Sequence, residues 1–103
     1  MNSERIQKLK EMEAQSPGDA FFPYAVGLEL LAGKDGAGAR RQFEMVLQRF
    51  PDYVPVYYQL GQLLDQFGET AAARRILFVG IEKATQAGDA KTVRELQAAI
   101  DML

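Results

Sequence analysis

Apolar residues return at three- and four-residue steps along nearly the whole chain, and the pattern is broken at intervals by clusters of glycine, proline, aspartate and serine. Such spacing lines one face of a helix and not of a strand. It predicts about six helices and an all-α fold. The first runs over Glu4–Gln15, with Ile6, Leu9 and Met12 along one side and Ser3 or Asn2 as its cap, and Ser16-Pro17-Gly18-Asp19 stops it. A second covers Phe21–Ala32. Pro23 is tolerated in its first turn, Asp19 and Phe22 are alternative starts, and Gly33 is its expected left-handed close. Asp35 caps a third over Gly36–Arg49, which carries Ala39, Phe43, Val46, Leu47 and Phe50 on one stripe and ends at Pro51-Asp52. Pro55 suits the first position of a fourth that reaches Gln66 and closes at Phe67-Gly68. Thr70 is the expected cap of a fifth over Ala71–Ala87, with Ala73, Ile76, Leu77, Gly80 and Ile81 inward. Gly88 stops it, and Asp89 caps the last helix, Ala90–Met102.

The pattern also repeats. A shift of about 34 positions lays Pro17 on Pro51, Tyr24 on Tyr58, Gly27 on Gly61, Leu30 on Leu64, Ala37 on Ala71, Ala39 on Ala73 and Arg40-Arg41 on Arg74-Arg75. Phe43 falls on Leu77 and Leu47 on Ile81, keeping apolar character. A register that holds through two helical patterns and the turn between them marks an internal duplication. In that register the opening helix corresponds to the second helix of a repeat, with Leu9 at the place of Phe43 and Leu77, and Arg5 at the place of Ala39 and Ala73. The last helix corresponds to a first helix if its preceding loop is about two residues longer, so that Val93, Leu96 and Ile100 match Tyr57, Leu60 and Leu64. Gln97 then stands where Gly27 and Gly61 stand. Glycine inside a helix costs about 1 kcal/mol relative to alanine, so both glycines require a close helix approach, with Ala39 and Ala73 serving it from the partner helices.

Tyr57, Leu60-Gly61, Leu64, Ala73 and Leu77, with Pro51 ahead of them, resemble the aromatic, Leu-Gly, large-apolar, Ala and closing-Pro pattern of the tetratricopeptide repeat family. The upstream copy is looser, with Pro23, Val26-Gly27, Leu30, Ala39 and Phe43, and the downstream copy departs at Gly80 and Thr85. The resemblance implies a right-handed superhelix of antiparallel helix pairs. It also implies one domain over residues 1–103: a helix at 4–15, repeats at 20–53 and 54–87, and a capping helix at 90–102. Three helix pairs in permuted order make the expected unit complete.

What the resemblance implies about function is a peptide or partner helix held on the concave side by the first helices of each pair. The residues it places there are Phe21, Tyr24, Leu28 and Leu31, then Tyr58, Gln59, Gln62 and Asp65, then Lys91, Arg94 and Glu95. Chaperone-binding members of the family clamp a C-terminal carboxylate with lysine, asparagine and arginine. The matching places here hold Tyr24, Leu28, Gln59, Lys91 and Glu95, so tight binding of acidic C-terminal tails is not expected. Phe21, Phe22, Tyr24, Leu28, Leu30 and Leu31 make the second helix apolar nearly all round. Either Phe21 and Phe22 pack on the opening helix, or Phe21, Tyr24, Leu28 and Leu31 form a binding or homodimer surface.

Composition narrows the chemistry. The 103 residues contain no cysteine and no histidine, which removes thiolate and imidazole from any metal site and the commonest general base from any active site. Gly33 to Gly38 joins two helices and has no strand, lysine and hydroxyl in the order of a phosphate-binding loop. No enzyme, cofactor or metal is expected. A net charge of -2 argues against nucleic acid as partner, and Arg40-Arg41 and Arg74-Arg75 read as a solvated face, Arg40 having Glu44 one turn on. No stretch nears about 18 apolar residues and the N-terminus lacks an apolar signal core. A cytoplasmic protein-binding module follows.

Overall fold

A computed structural model describes residues 2–103, and every regular element among them is an α-helix. These are α1 (Asn2–Gln15), α2 (Phe21–Ala32), α3 (Gly36–Arg49), α4 (Pro55–Gln66), α5 (Thr70–Gln86) and α6 (Ala90–Asp101). The chain forms two compact units, one ending at Pro51 and one running from Asp52 to Leu103.

In the first unit α2 packs against both α1 and α3. Its core is Tyr24, Val26, Ala39, Phe43 and Val46. Gly27 lies under the Phe43 ring: a Cβ built there would come 2.7 Å from Phe43 Cδ1, with Cε1 closer still. The glycine is thus the notch that seats the phenylalanine. Polar bonds fix the same arrangement at its margins. Gln42 Nε2 donates to the Pro23 carbonyl (3.0 Å), and Arg49 bridges to Glu13 (3.3 Å) while donating to the Pro17 carbonyl (3.1 Å). Arg5, standing where the later helices carry a buried alanine, is exposed and pairs with Glu29 at 3.6 Å.

The second unit packs α5 against α4 and α6, and α6 also touches α4. Gly61 repeats the notch, since a Cβ there would meet Leu77 Cδ2 at 2.5 Å and Cγ at 2.6 Å. Gly80 supplies another on α5, facing Tyr57 Cβ (2.7 Å) and Leu96 Cδ1 (3.2 Å). Around these points Val56, Tyr57, Leu60, Leu63, Leu64, Ala73, Leu77, Ala84 and Leu96 are buried.

Three helices end in the same way. The amide of the residue after the cap returns to the carbonyl of the second-last helical residue, as Lys34 to Leu31 (3.0 Å), Gly68 to Asp65 (2.9 Å) and Gly88 to Thr85 (3.0 Å). The next amide reaches one carbonyl further back, as Asp35 to Leu30, Glu69 to Leu64 and Asp89 to Ala84, all 2.9 Å. This is the Schellman closure, which needs a left-handed residue. Gly68 (φ 80) and Gly88 (φ 72) provide it, but in α2 the residue is Lys34 (φ 65), while the expected Gly33 sits at φ -81. The duplication explains the difference, because Lys34 occupies the place of Gly68. Lys34→Gly should relieve about 1–2 kcal/mol of left-handed strain against about 0.4–1 kcal/mol for a freer unfolded chain. The net gain of roughly 0.5–1 kcal/mol is measurable by urea unfolding.

Side-chain caps start α3 and α6, whereas the capping residues of α2, α4 and α5 make no such bond. Asp35 accepts from the Gly38 amide (2.9 Å) and Asp89 from the Thr92 amide (3.1 Å) and hydroxyl (2.6 Å); the cap of α2 is Ala20, neither Asp19 nor Phe22, although Asp19 accepts from the Phe21 amide (2.9 Å) just ahead of the helix. Thr70, however, is the first residue of α5 and does not cap it: the tight closure at Gly68 lets the Glu69 carbonyl accept from Ala73 (2.9 Å), and the Thr70 hydroxyl donates to Asp65 instead (3.2 Å). Ser3 lies inside α1, and the side chain of Asn2, its alternative as cap, is outside the described residues. The Thr92 bonds, hydroxyl first, hold the Asp89 carboxyl below its usual range. A depressed carboxyl stabilises the fold above its unfolded value of about 4 and loses that contribution as pH falls through the folded value. The unfolding midpoint of wild type should therefore exceed that of Asp89→Asn at neutral pH, and the gap should close as acidification carries the pH below the ordinary carboxylate range.

Candidate functional site

Burying Val56, Tyr57, Leu60, Leu63 and Leu64 leaves the opposite side of α4 with Tyr58, Gln62 and Asp65 in line, at one-turn spacing. Across from it α6 buries Leu96 and presents Glu95, Ala98 and Ala99, with Met102 just past its end. Between the two helices lies an open hollow of about 240 Å³, floored by Gly61 and Leu77 and bounded at one end by Leu103. Tyr58 is half-buried in its wall, Gln62 and Asp65 stand exposed on one rim and Glu95 on the other. The floor and far wall are apolar. Its charged lining residues are Asp65 and Glu95, both acidic.

The structure thus brings together Tyr58, Gln62 and Asp65 of the residues expected to bind a partner, with Glu95. Gln59 is half-buried and Lys91 exposed, and neither lines this hollow; Arg94 lines another, of about 360 Å³, beside Gly88, Asp89 and Val93 at the α5–α6 turn. In the first unit Phe21 and Leu28 line an apolar depression of about 370 Å³ with Leu9, Met12 and Ala25, rimmed by Arg5, Lys8 and Glu29. Phe21 stands edge-on to Phe22, centroids 5.6 Å apart, and stays 49% exposed. Tyr24 is a core residue, its ring 5.9 Å from that of Phe43, and Leu31 is half-buried.

Ala98, Ala99, Met102 and Leu103 were not among the expected groove residues. A signal for one was present, since the register that sets Leu96 on Leu60 also sets Ala98 on Gln62. Among the described residues no three acidic groups cluster as a metal site, and no helix is long and apolar enough to cross a membrane.

Helical hairpins notched by glycine, duplicated at one spacing and closed by the same turn, define a helical-repeat protein. A tetratricopeptide repeat family model matches residues 30–100, and the chain belongs to that family, whose members are generally non-catalytic scaffolds that bind proteins. The crystal structure of a tetratricopeptide repeat domain protein from Salinibacter ruber is 36% identical, with a TM-score of 0.77 over 80% of this chain and 92% of that one. The solution structure of a tetratricopeptide repeat domain protein from Salinibacter ruber is 37% identical, with a TM-score of 0.77 over 82% of this chain and 85% of that one. The solution structure of a Bordetella parapertussis protein is 25% identical, with a TM-score of 0.78 over 94% and 84% of the two chains. No curated protein matches the sequence.

Proposed function

We propose that the chain is a non-catalytic interaction module, in which residues 20–53 and 54–87 are two full repeats and the hollow between α4 and α6 receives a peptide or helix of a partner protein. One observation carries this reading: a concave, mostly apolar surface whose polar groups converge from two helices, the form that ligand sites usually take. Random peptides displayed on phage, selected on the wild-type chain and counter-selected on Ala98→Phe, test it. Ala98 is exposed, so phenylalanine there fills the hollow without entering the core. Peptides retained by wild type and lost on Ala98→Phe are expected; peptides held equally by both contradict the reading.

A second reading rests on the exposed Phe21 and Met12 beside the α1–α2 depression. In it this face, with Leu28, buries itself against a second copy of the chain. Light scattering during gel filtration separates the two. A mass of one chain at all concentrations supports the first reading, and a dimer dissociated by Leu28→Asp supports the second.

A further inference from the structure

We infer that the segment accepted between α4 and α6 carries a lysine or arginine next to an apolar residue; this rests on the groove reading above and adds the charge of its occupant. The two sides of the hollow differ in chemistry. Ala98, Met102 and the Leu77 floor offer an apolar seat, whereas Asp65 on one rim and Glu95 on the other place a carboxylate on each side of whatever lies there. Among the described residues no lysine or arginine lines it. Asp65 gives one carboxylate oxygen to the Thr70 hydroxyl (3.2 Å), a neutral donor that leaves its charge uncompensated, and among the described residues neither Asp65 nor Glu95 is salt-bridged. An occupant with an acidic side chain meets like charge from both helices, which disfavours it, and a cationic one is attracted by both. The same arrangement accounts for the absence of a cationic clamp: Lys91 is outside the hollow and Arg94 lines a different one.

The test compares the peptides selected on wild type with their binding to Glu95→Lys. That variant reverses one rim charge, keeps the hollow open and spares the Asp65–Thr70 contact; Asp65→Lys provides an independent reversal, and thermal melts verify that both fold. Wild type is expected to enrich peptides in which a basic residue adjoins an apolar one. Synthetic copies should bind each variant about fivefold or more weakly, the order that exposed ion pairs supply, and should weaken on wild type as salt rises. Peptides that require the open hollow but show no basic bias, or that bind Glu95→Lys undiminished, overturn the inference and leave the groove reading standing. Peptides held equally by Ala98→Phe, or no enrichment on wild type, overturn both.

Discussion

Phe43→Ala is expected to lose about 3–5 kcal/mol of stability, the range for removing a fully buried aromatic side chain. The ring has no exposed surface, covers Gly27 and lies 5.9 Å from Tyr24. Its removal opens a void where the notch itself has no side chain to move inward, so the site collapses poorly and the upper part of that range applies. For a protein of this size the loss lowers the thermal midpoint by about 12 °C or more. Phe43→Leu, which installs the residue used at the equivalent place in the other copy, should cost less than half as much. Thermal melts of the three chains side by side decide the matter; an alanine variant melting within a few degrees of wild type removes Phe43 from the centre of the first unit.

Gly80→Leu is expected to cost about 2 kcal/mol. Overpacking a core commonly costs about 1–3 kcal/mol, and the better helix propensity of leucine returns about 1 kcal/mol. What places this site at the severe end is the neighbour. A Cβ at position 80 meets the Cβ of Tyr57 at 2.7 Å, an atom tied to the α4 backbone that no rotamer change can withdraw, and Leu96 Cδ1 stands at 3.2 Å on the other side. The displaced helices are the two that form the hollow, so the variant should also bind the selected peptides more weakly. Denaturant unfolding gives the first number and peptide titration at low temperature the second; a variant as stable as wild type contradicts the packing described for α5.

Much of this architecture is legible in the sequence because its boundaries are written in residues with one mechanical use. Pro55 can only begin a helix, Gly68 and Gly88 end helices in a left-handed turn, and Asp35 and Asp89 accept from the first turn that follows, so α2, α3 and α4 run between the expected residues. Lys34 is the exception that shows the limit: nothing in a lysine announces φ 65, and only its place in the duplication points to it. The site is less legible. One-turn spacing identifies the outward face of α4, but the facing wall on α6 is built from Ala98 and Ala99, which carry no chemistry to notice. Tyr24 and Tyr58 occupy equivalent positions in the register and end differently. Tyr24 is buried against the broad ring of Phe43, whereas Tyr58 is half-buried in the wall of a hollow floored by the smaller Leu77. Duplication predicts backbone position well; how far a side chain is covered depends on its partner across the notch.

The claim beneath the fold and the groove is that a missing side chain on one helix seats a large one on the next, and a double-mutant cycle on Gly61 and Leu77 measures it. Leu77→Ala alone should cost about 2–5 kcal/mol, and Gly61→Ala alone should destabilise because its methyl group collides with Leu77. Combined, the new methyl enters the space the leucine vacates, so the double variant should be more stable than the sum of the two changes by about 1–3 kcal/mol. Additivity within about 0.5 kcal/mol would mean that the two residues do not meet.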